Sequence, residues 1–270
     1  MPLLQVDNQE VYVVDRGQGD PVMFLHAFPF HSAMWDYQID ALHDSYRCLA
    51  IDVPGFGQSP EPDQPKRTSM RSLAGLVAGV LDQLGIGQAG IVGASMGGYL
   101  AMALLRHHRP RVRELVLADT RGLSDDAATA QRRTRQQEQL RGGAEVASLA
   151  KATVEGLLSS GSMSSPELVE YVHALTEAAT PGGWIAALEA MKGRPDSMLL
   201  LRQADVRALV VVGELDRVSP IAEAMSLRSL IRGELVVVPG AGHLPNIENP
   251  LAFNDALVNF LRGSGRSAEG

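Results

Sequence analysis

Short apolar segments rich in β-branched residues alternate along this chain with segments of helical periodicity. Most of the apolar segments are continuous rather than alternating in polarity, which is typical of strands covered on both faces in a mostly parallel sheet. The first of them is expected to form an antiparallel edge. The alternation predicts an α/β protein with a doubly wound, mostly parallel sheet. The predicted strands are residues 11–14, 22–25, 47–51, 89–93, 112–117, 208–212 and 234–238, and the predicted core helices are residues 69–84, 96–107, 221–230 and 249–261.

The stretch from residue 120 to residue 205 breaks this alternation, because it holds several helix-like segments in a row and no convincing strand. One of these segments starts with Ser165, Pro166 and Glu167, which supply an N-cap, a proline at the first helical position and an early acid. We therefore predict an α/β core of residues 1–119 and 206–262 that carries an inserted helical cap at 120–205. Residues 263–270 are predicted to form a disordered tail.

The composition argues against several classes of function. The net charge is −7. The densest basic run is Arg132-Arg133-Thr134-Arg135, and we interpret it as a solvated helix face rather than a phosphate-binding patch. Nucleic acid is therefore not an expected partner. Cys48 is the single cysteine, so the chain cannot form an intramolecular disulfide or a metal site built from several thiolates. The sequence also has no H-E-x-x-H motif, and we therefore expect no metal. No signal-peptide pattern or membrane-spanning apolar stretch is found, so we expect a soluble cytoplasmic protein with no membrane partner.

The strongest local signal for chemistry is Gly93-Ala94-Ser95-Met96-Gly97, which lies between a predicted strand and a predicted helix. A G-x-S-x-G pattern in that position is a nucleophile elbow, in which small residues let the backbone bend so that the serine hydroxyl stands above the sheet. The pattern alone is not rare in a chain with 27 glycines, and its placement makes it informative. We predict Ser95 as the nucleophile; the alternative is a glycine-rich turn that packs a helix on a strand.

A serine hydroxyl needs a base to remove its proton and a third group to hold that base. His243 lies in a glycine-rich loop directly after a predicted strand, at the edge where open α/β sheets place their sites, and is predicted to be the base. Glycine turns of this kind do not flank the other histidines, which fall at a helix end, in polar or helical surroundings, or in a separate loop. These are His26, His31, His43, His107, His108 and His173.

The predicted acid is Asp216, which follows the strand at 208–212 and precedes His243, giving the chain order serine, aspartate, histidine. Asp119 competes for the same role, because it also follows a predicted strand. Instead of acting in catalysis, Asp119 could have a structural role as a turn residue or a helix cap. Glu214 is a weaker competitor.

Five segments together resemble the α/β-hydrolase fold superfamily over residues 11–261. They are His26-Ala27-Phe28-Pro29, the run from Asp52 to Ser59, the elbow at Ser95, the turn at Asp216 and the loop at His243. Within the superfamily the chain is similar to small carboxylesterases, 3-oxoadipate enol-lactonase-like hydrolases and cofactor-free perhydrolases.

The resemblance implies that the backbone N–H groups of Phe28 and Met96 form an oxyanion hole, which holds the negative charge that develops on a carbonyl oxygen. The family usually has glycine where this chain has Ala27, and alanine adopts a positive φ less readily, so the departure bears on the geometry of the loop. His26 is expected to brace this loop, and the Asp52 segment is interpreted as structural. Trp35 and Trp184 are candidate substrate-binding residues.

The expected activity is cleavage of a small-molecule carboxylic ester or lactone through an acyl-enzyme, with no cofactor. A perhydrolase or a C–C bond hydrolase would use the same three residues. An alternative from another class is a ligand-binding receptor with very slow turnover.

Overall fold

The computed structural model describes residues 3–264. Within them, the strands form a short antiparallel pair near the start of the chain and one large sheet. The strands are β1 (Leu4–Val6), β2 (Gln9–Val11), β3 (Val13–Arg16), β4 (Asp20–Leu25), β5 (Tyr46–Ile51), β6 (Ala89–Ala94), β7 (Val112–Ala118), β8 (Arg207–Gly213) and β9 (Glu234–Val238).

The large sheet has the order β3-β5-β4-β6-β7-β8-β9. β3 runs antiparallel to β5 at one edge, and all other neighbours are parallel. The predicted doubly wound, mostly parallel sheet with an antiparallel edge is therefore confirmed. Because β4, β6 and β7 lie at the centre, their carboxyl ends converge at the middle of one edge of the sheet, where ligands bind in open α/β folds.

The helices, with their bounds, are α1 (Asp36–Leu42), α2 (Met70–Gln83), α3 (Met96–His107), α4 (Ala127–Arg141), α5 (Val146–Glu155), α6 (Ser160–Met163), α7 (Pro166–Ala174), α8 (Pro181–Lys192), α9 (Met198–Gln203), α10 (Ile221–Ile231), α11 (Pro245–Glu248) and α12 (Pro250–Ser264). Short 3-10 turns precede α1, α2 and β7. The caps follow local chemistry: Ser69 and Ser72 bond reciprocally at the start of α2, and Ser165 accepts from the N–H of Leu168 at the predicted start of α7.

The sheet is covered on both faces, which explains why its strands are continuously apolar. Residues of α2, α3 and α10 pack on one face in a cluster that includes Ile91 and Val210. Residues of α1 and α12 pack on the other face in a cluster that includes Val92 and Val211. Cys48 belongs to this second cluster, and its burial raises the pKa of the thiol to about 12.

The predicted insertion consists of helices and the loops that join them: among the described residues, no strand occurs between β7 and β8. Its two ends meet at a neck, where the N–H of Ser197 donates to the carbonyl of Gly122 at 2.8 Å. Arg194 closes the neck further by donating to the carbonyl of Leu123 and to the carboxylate of Asp125. We call residues 123–196 the helical insertion; its role as a cap stays a prediction.

The helical insertion also docks on the core through backbone contact at Gly55. The N–H of Thr180 donates to the carbonyl of Gly55 at 2.8 Å, and a Cβ on Gly183 would lie 2.4 Å from that carbonyl oxygen. Glycine is therefore required at the start of α8, because any side chain would separate the two backbones.

At the carboxyl terminus, α12 extends to Ser264, so the predicted disordered tail is wrong at residues 263 and 264, which belong to this helix. The rest of that tail, residues 265–270, lies outside the described residues. Among the helices of residues 3–264, none is both long enough and apolar enough to cross a membrane.

Candidate active site

Ser95 occupies the sharp turn between β6 and α3, as the sequence predicts. Its backbone has φ 51° and ψ −109°, a strained conformation for a residue with a side chain. Neighbouring backbone holds it there: the N–H of Ser95 donates to the carbonyl of Ala118 at 2.8 Å, and the hydroxyl of Thr120 donates to the carbonyl of Ser95 at 2.8 Å. The serine is thus fixed to β7 as well as to its own strand.

The glycines around Ser95 are required by close packing. A Cβ on Gly93 would lie 2.3 Å from the carbonyl oxygen of Gly97, and a Cβ on Gly97 would lie 2.0 Å from the carbonyl oxygen of Leu25. These separations are far inside van der Waals contact, so the turn cannot form with larger residues at either position.

His243 lies in the loop between β9 and α11, and its Nε2 is 2.9 Å from Oγ of Ser95. The imidazole is almost fully buried, and the N–H of His243 donates to the carbonyl of Leu157 in the helical insertion at 2.8 Å. The ring therefore has a defined position, which both the core and the insertion maintain.

Asp216 lies in the turn after β8, and its Oδ2 is 2.8 Å from Nδ1 of His243. Its Oδ1 accepts from the N–H groups of Val218 and Ser219 at 2.7 and 3.0 Å. Burial alone would raise the pKa of Asp216, but the hydrogen bond and charge of His243 and the two backbone N–H groups outweigh it, and the pKa lies below its usual value. The carboxylate is thus held ionised beside the imidazole.

Asp119, the competing acid, lies at the end of β7 next to Asp216 and makes different contacts. Its Oδ1 accepts from the N–H of Gly213 at 2.9 Å, and its buried Oδ2 has no hydrogen-bond partner among the described residues. Burial raises the pKa of Asp119 well above its usual value, and the negative charge of Asp216 adds to this effect. Asp119 therefore favours the protonated form. The weaker competitor, Glu214, accepts from the N–H of Gly240.

The loop after β4 brings Phe28 to the same place. Phe28 lines a cavity of about 260 Å³ together with Ser95 and His243. The N–H of Phe28 donates to no acceptor in the hydrogen-bond network of residues 3–264, and Met96 is the first residue of α3, so its N–H has no helical acceptor. Both amides are therefore free to serve as the predicted oxyanion hole. Ala27 does not have a positive φ, so the departure from glycine leaves this loop unstrained at that residue.

The structure places Trp35 away from the cavity. Its ring is fully buried in the core beside Phe24 and Phe253, at centroid distances of 5.2 and 6.1 Å. Trp184, on α8, is also fully buried, and its ring packs edge-on against Phe28 at 4.5 Å. Neither tryptophan is part of the cavity wall; Trp184 instead supports the ring of Phe28 from behind.

His26 braces the Phe28 loop, as predicted. Its Nε2 accepts from the N–H of Val53 at 2.9 Å, and its Nδ1 lies 3.0 Å from the carbonyl of Ala27. Burial lowers the pKa of His26 to about 4, so the ring is neutral and can donate from one nitrogen while it accepts at the other. Asp52 has a structural role too, because its carboxylate accepts from the N–H groups of Ser32 and Gln58 at 2.7 and 2.8 Å.

A family model for the α/β-hydrolase fold matches residues 20–250. The chain belongs to the α/β-hydrolase fold family. An esterase from Thermogutta terrifontis is 34% identical, with a TM-score of 0.90 and 94% of each chain covered. The 3-oxoadipate enol-lactonase 2 of Acinetobacter baylyi is 29% identical over 250 residues, which are 91% of each chain. The 2-hydroxymuconate semialdehyde hydrolase of Pseudomonas putida is 30% identical over 266 residues, which cover 92% of this chain and 89% of that protein.

The predicted resemblance of this α/β hydrolase to esterases and enol-lactonases is therefore confirmed. The three relatives named above are hydrolases, and the match to the family model supports an enzyme of that broad class. The catalytic roles of Ser95, His243 and Asp216, which the structure brings together, stay predictions at this point.

Sequence reasoning missed Glu248, at the end of α11. Its carboxylate accepts from the N–H groups of Gly242 and Leu244, which flank His243, at 2.9 and 3.1 Å, and from the N–H of Ser159 in the helical insertion at 2.8 Å. The signal was present as an acid five residues after the histidine in a glycine-rich loop, but an acid there is indistinguishable in sequence from a solvated helix residue.

The interpretation of the basic run on α4 as a solvated face was incomplete. Arg132 and Arg133 line the cavity of this hydrolase, whereas Arg135 is exposed and lies outside its wall. Thr129 and Gln136 line the cavity as well, and positions 129, 132, 133 and 136 share one helix face because of their three- and four-residue spacing. The spacing shows that these four residues share a face, but it does not show that this face borders the cavity.

Asp119, Asp216 and His243 also offer three ligand atoms within 4.8 Å of one another, a set that a metal ion can use. In this arrangement, however, both nitrogens of His243 and both oxygens of Asp216 already have protein partners. A metal would have to replace the contact between the imidazole and Asp216, so the donor set fits hydrogen bonding better than metal binding. The absence of a metal stays a prediction.

Proposed function

We propose that this protein hydrolyses a carboxylic ester or lactone through an acyl-enzyme on Ser95. The observation that carries the proposal is the chain of two contacts, 2.9 Å from Oγ of Ser95 to Nε2 of His243 and 2.8 Å from Nδ1 of His243 to Asp216. Both distances suit hydrogen bonds that pass a proton from a serine to an oriented imidazole.

In the first step, Oγ of Ser95 attacks the substrate carbonyl carbon while its proton passes to Nε2 of His243. Nδ1–H of His243 donates to Asp216, whose ionised carboxylate stabilises the imidazolium that forms. The carbonyl electron pair moves to oxygen, where the N–H groups of Phe28 and Met96 stabilise the charge.

In the second step, the tetrahedral intermediate collapses, the bond to the alkoxy oxygen breaks, and His243 protonates that oxygen. Water then attacks the acyl-enzyme with His243 as base, which releases the acid and restores Ser95. In a lactone, the same bond cleavage opens the ring, and the new hydroxyl group remains part of the acyl chain on Ser95. No step requires a cofactor.

The test is hydrolysis of short p-nitrophenyl esters by the full chain and by the variant Ser95→Ala. We expect many turnovers per active site for the wild type and a loss on the order of 10⁴-fold or more in the variant. A fluorophosphonate probe should label the wild type and not Ser95→Ala. Full activity and labelling of Ser95→Ala would refute the proposal, and a single slow burst without turnover would favour the ligand-binding receptor.

A C–C bond hydrolase is the second candidate, supported by the similarity to 2-hydroxymuconate semialdehyde hydrolase. Such a reaction can use the same serine, histidine and aspartate. Comparison of kcat/KM on a vinylogous 1,5-diketone with kcat/KM on an ester of the same acyl group separates the two, because an esterase favours the ester.

A further inference from the structure

The wall of the cavity carries more positive charge than its surroundings neutralise. Three of the residues that line the cavity are arginines, Arg121, Arg132 and Arg133, whereas Asp125 is the only acid among the lining residues. The whole chain has a net charge of −7, so this local excess of cations runs against its composition.

Asp125 is already shared between two cations. Its Oδ2 accepts from Nε of Arg133 at 2.6 Å, and its Oδ1 accepts from Nη1 of Arg194 at 2.6 Å. Arg194 in turn lies over the ring of Tyr99, with its guanidinium carbon 3.8 Å from the centroid. These contacts explain Arg133 as a structural part of the neck, and they leave no spare carboxylate for another arginine.

Arg132 and Arg121 have no such explanation. In the described part of the chain, neither forms a salt bridge with a carboxylate. Arg132 donates from Nη2 only to the hydroxyl of Thr129 at 3.4 Å, and Arg121 donates from Nη2 to the carbonyl of Val218 while its buried Nε has no partner. Both residues line the cavity and keep N–H donors without a protein acceptor, and an oxygen of a bound ligand can accept from these donors.

Asp126 is an acid that interacts electrostatically with both arginines, but it does not neutralise them within the cavity. The pKa of Asp126 is lowered mainly by the hydrogen bond that its carboxylate accepts from the N–H of Thr129 as the cap of α4, and the charges of Arg132 and Arg121 add to this effect. The side chain of Asp126 is exposed to solvent and does not line the cavity.

We propose that the cavity beside Ser95 accepts an ester or lactone that carries a carboxylate, and that Arg132 and Arg121 bind that carboxylate. The proposal rests on the proposed function and names its substrate class. A guanidinium fork matches the two oxygens of a carboxylate, and Thr129 and Gln136 on the same wall supply neutral polar groups beside it.

The test compares two p-nitrophenyl esters that differ only at the far end of the acyl chain: the hexanoate, which ends in a methyl group, and the monoester of adipate, which ends in a carboxylate. The adipate chain is too long to cleave itself rapidly through a small-ring anhydride. For the wild type, we expect kcat/KM to be at least about tenfold higher for the adipate monoester, and added salt should reduce this ratio.

Arg132→Gln and Arg121→Gln should each reduce the ratio of the two kcat/KM values by about tenfold. Arg135→Gln is the matched control, because Arg135 is exposed on the same helix and lies outside the cavity wall. It should leave the ratio unchanged. A wild-type ratio of one or less, or an equal loss in Arg135→Gln, would overturn the inference while leaving ester hydrolysis intact.

Binding of adipate itself, measured by calorimetry, tests the inference without turnover. Weaker binding of adipate to Arg132→Gln than to Arg135→Gln supports the carboxylate site, even if the protein cleaves no ester. The absence of ester cleavage would then refute the proposed function but not the carboxylate site. Equal binding to the wild type and both variants overturns the carboxylate site.

Discussion

The carboxyl edge of the sheet and the α4 wall border the same cavity, but they are constrained very differently. At the edge, Ser95, His243 and Asp216 are each tied by hydrogen bonds to backbone, and the histidine and aspartate are buried. On the wall, Arg132 is exposed and has a single long contact, 3.4 Å to Thr129. Reacting groups need a fixed geometry, whereas a charge that recognises a ligand can act from a longer, more adaptable side chain.

The largest effect on activity should come from a change at the carboxyl edge of the sheet. Asp216→Asn keeps the shape of the side chain but removes the charge and favours the wrong imidazole tautomer, so kcat should fall on the order of 10³–10⁴-fold. Ester hydrolysis at saturating substrate measures the change. Glu214→Gln is the control in the same turn, since Glu214 bonds to the N–H of Gly240, and a comparable loss there would show that the turn rather than the charge is responsible.

Substitution of Glu248 tests whether the position of His243 depends on the hydrogen bonds that hold its loop. Glu248→Ala leaves the N–H groups of Gly242, Leu244 and Ser159 without their acceptor, so the His243 loop should shift and kcat should fall by about 10–100-fold.

For Glu248→Gln, which keeps one oxygen acceptor, we expect a smaller fall in kcat. Asp255→Ala, an exposed change on α12, is the control and should remain active. If Glu248→Ala retains wild-type kcat and the same pH profile, Glu248 does not position His243.

The two neighbouring aspartates should respond to pH with opposite signs. The folded-state pKa of Asp119 is raised, so its contribution to the free energy of unfolding is present below about pH 4 and is lost as the pH rises through the folded value. Asp119→Asn stays neutral, so its stability relative to the wild type should increase as the pH rises from about pH 4 through the folded pKa of Asp119.

The folded-state pKa of Asp216 is lowered, so its contribution is present above about pH 4 and is lost as the pH falls through the folded value. Asp216→Asn should therefore lose stability relative to the wild type as the pH rises through the folded pKa of Asp216 to about pH 4, and the difference should stay constant above that pH. Urea unfolding at several pH values measures both differences, and parallel curves for the two variants would contradict this assignment.

The smallest effect concerns the two tryptophans. Trp184→Phe and Trp35→Phe should each lower the free energy of unfolding by about 1–3 kcal/mol, because both rings are fully buried. Only Trp184→Phe should also lower kcat/KM, by a few-fold, since Trp184 supports Phe28. An equal kinetic loss in Trp35→Phe would place the effect in general stability instead.

The large sheet could be predicted from sequence because strands buried on both faces must be continuously apolar. The pair β1 and β2 was missed, since each strand has three residues of which one is buried, too little for a pattern. The predicted strand at 11–14 is split, with β2 ending at Val11 and β3 beginning at Val13.

The residues of the sheet edge were also predictable, because each follows a strand in a turn of distinctive composition. The cavity wall was not. Arg132 and Arg135 look alike in sequence, and only the docking of α4 on α8, through Gln137 to the carbonyl of Ile185 at 3.0 Å, decides which one borders the cavity. Trp35 shows the same limit, because an aromatic residue in a core and one in a pocket wall have the same local sequence pattern.

The neck between Gly122 and Ser197 makes the helical insertion an exchangeable module. Its chain leaves and rejoins the core at one hydrogen-bonded pair, while Thr120, which holds the carbonyl of Ser95, lies on the core side of that pair. Helices from another member of the family can therefore be grafted between residues 123 and 196 without touching the anchor of the serine. We expect chimeras joined at this neck to exchange specificity and to keep the chemistry, provided that they retain the contacts of Glu248 to Ser159 and of His243 to Leu157.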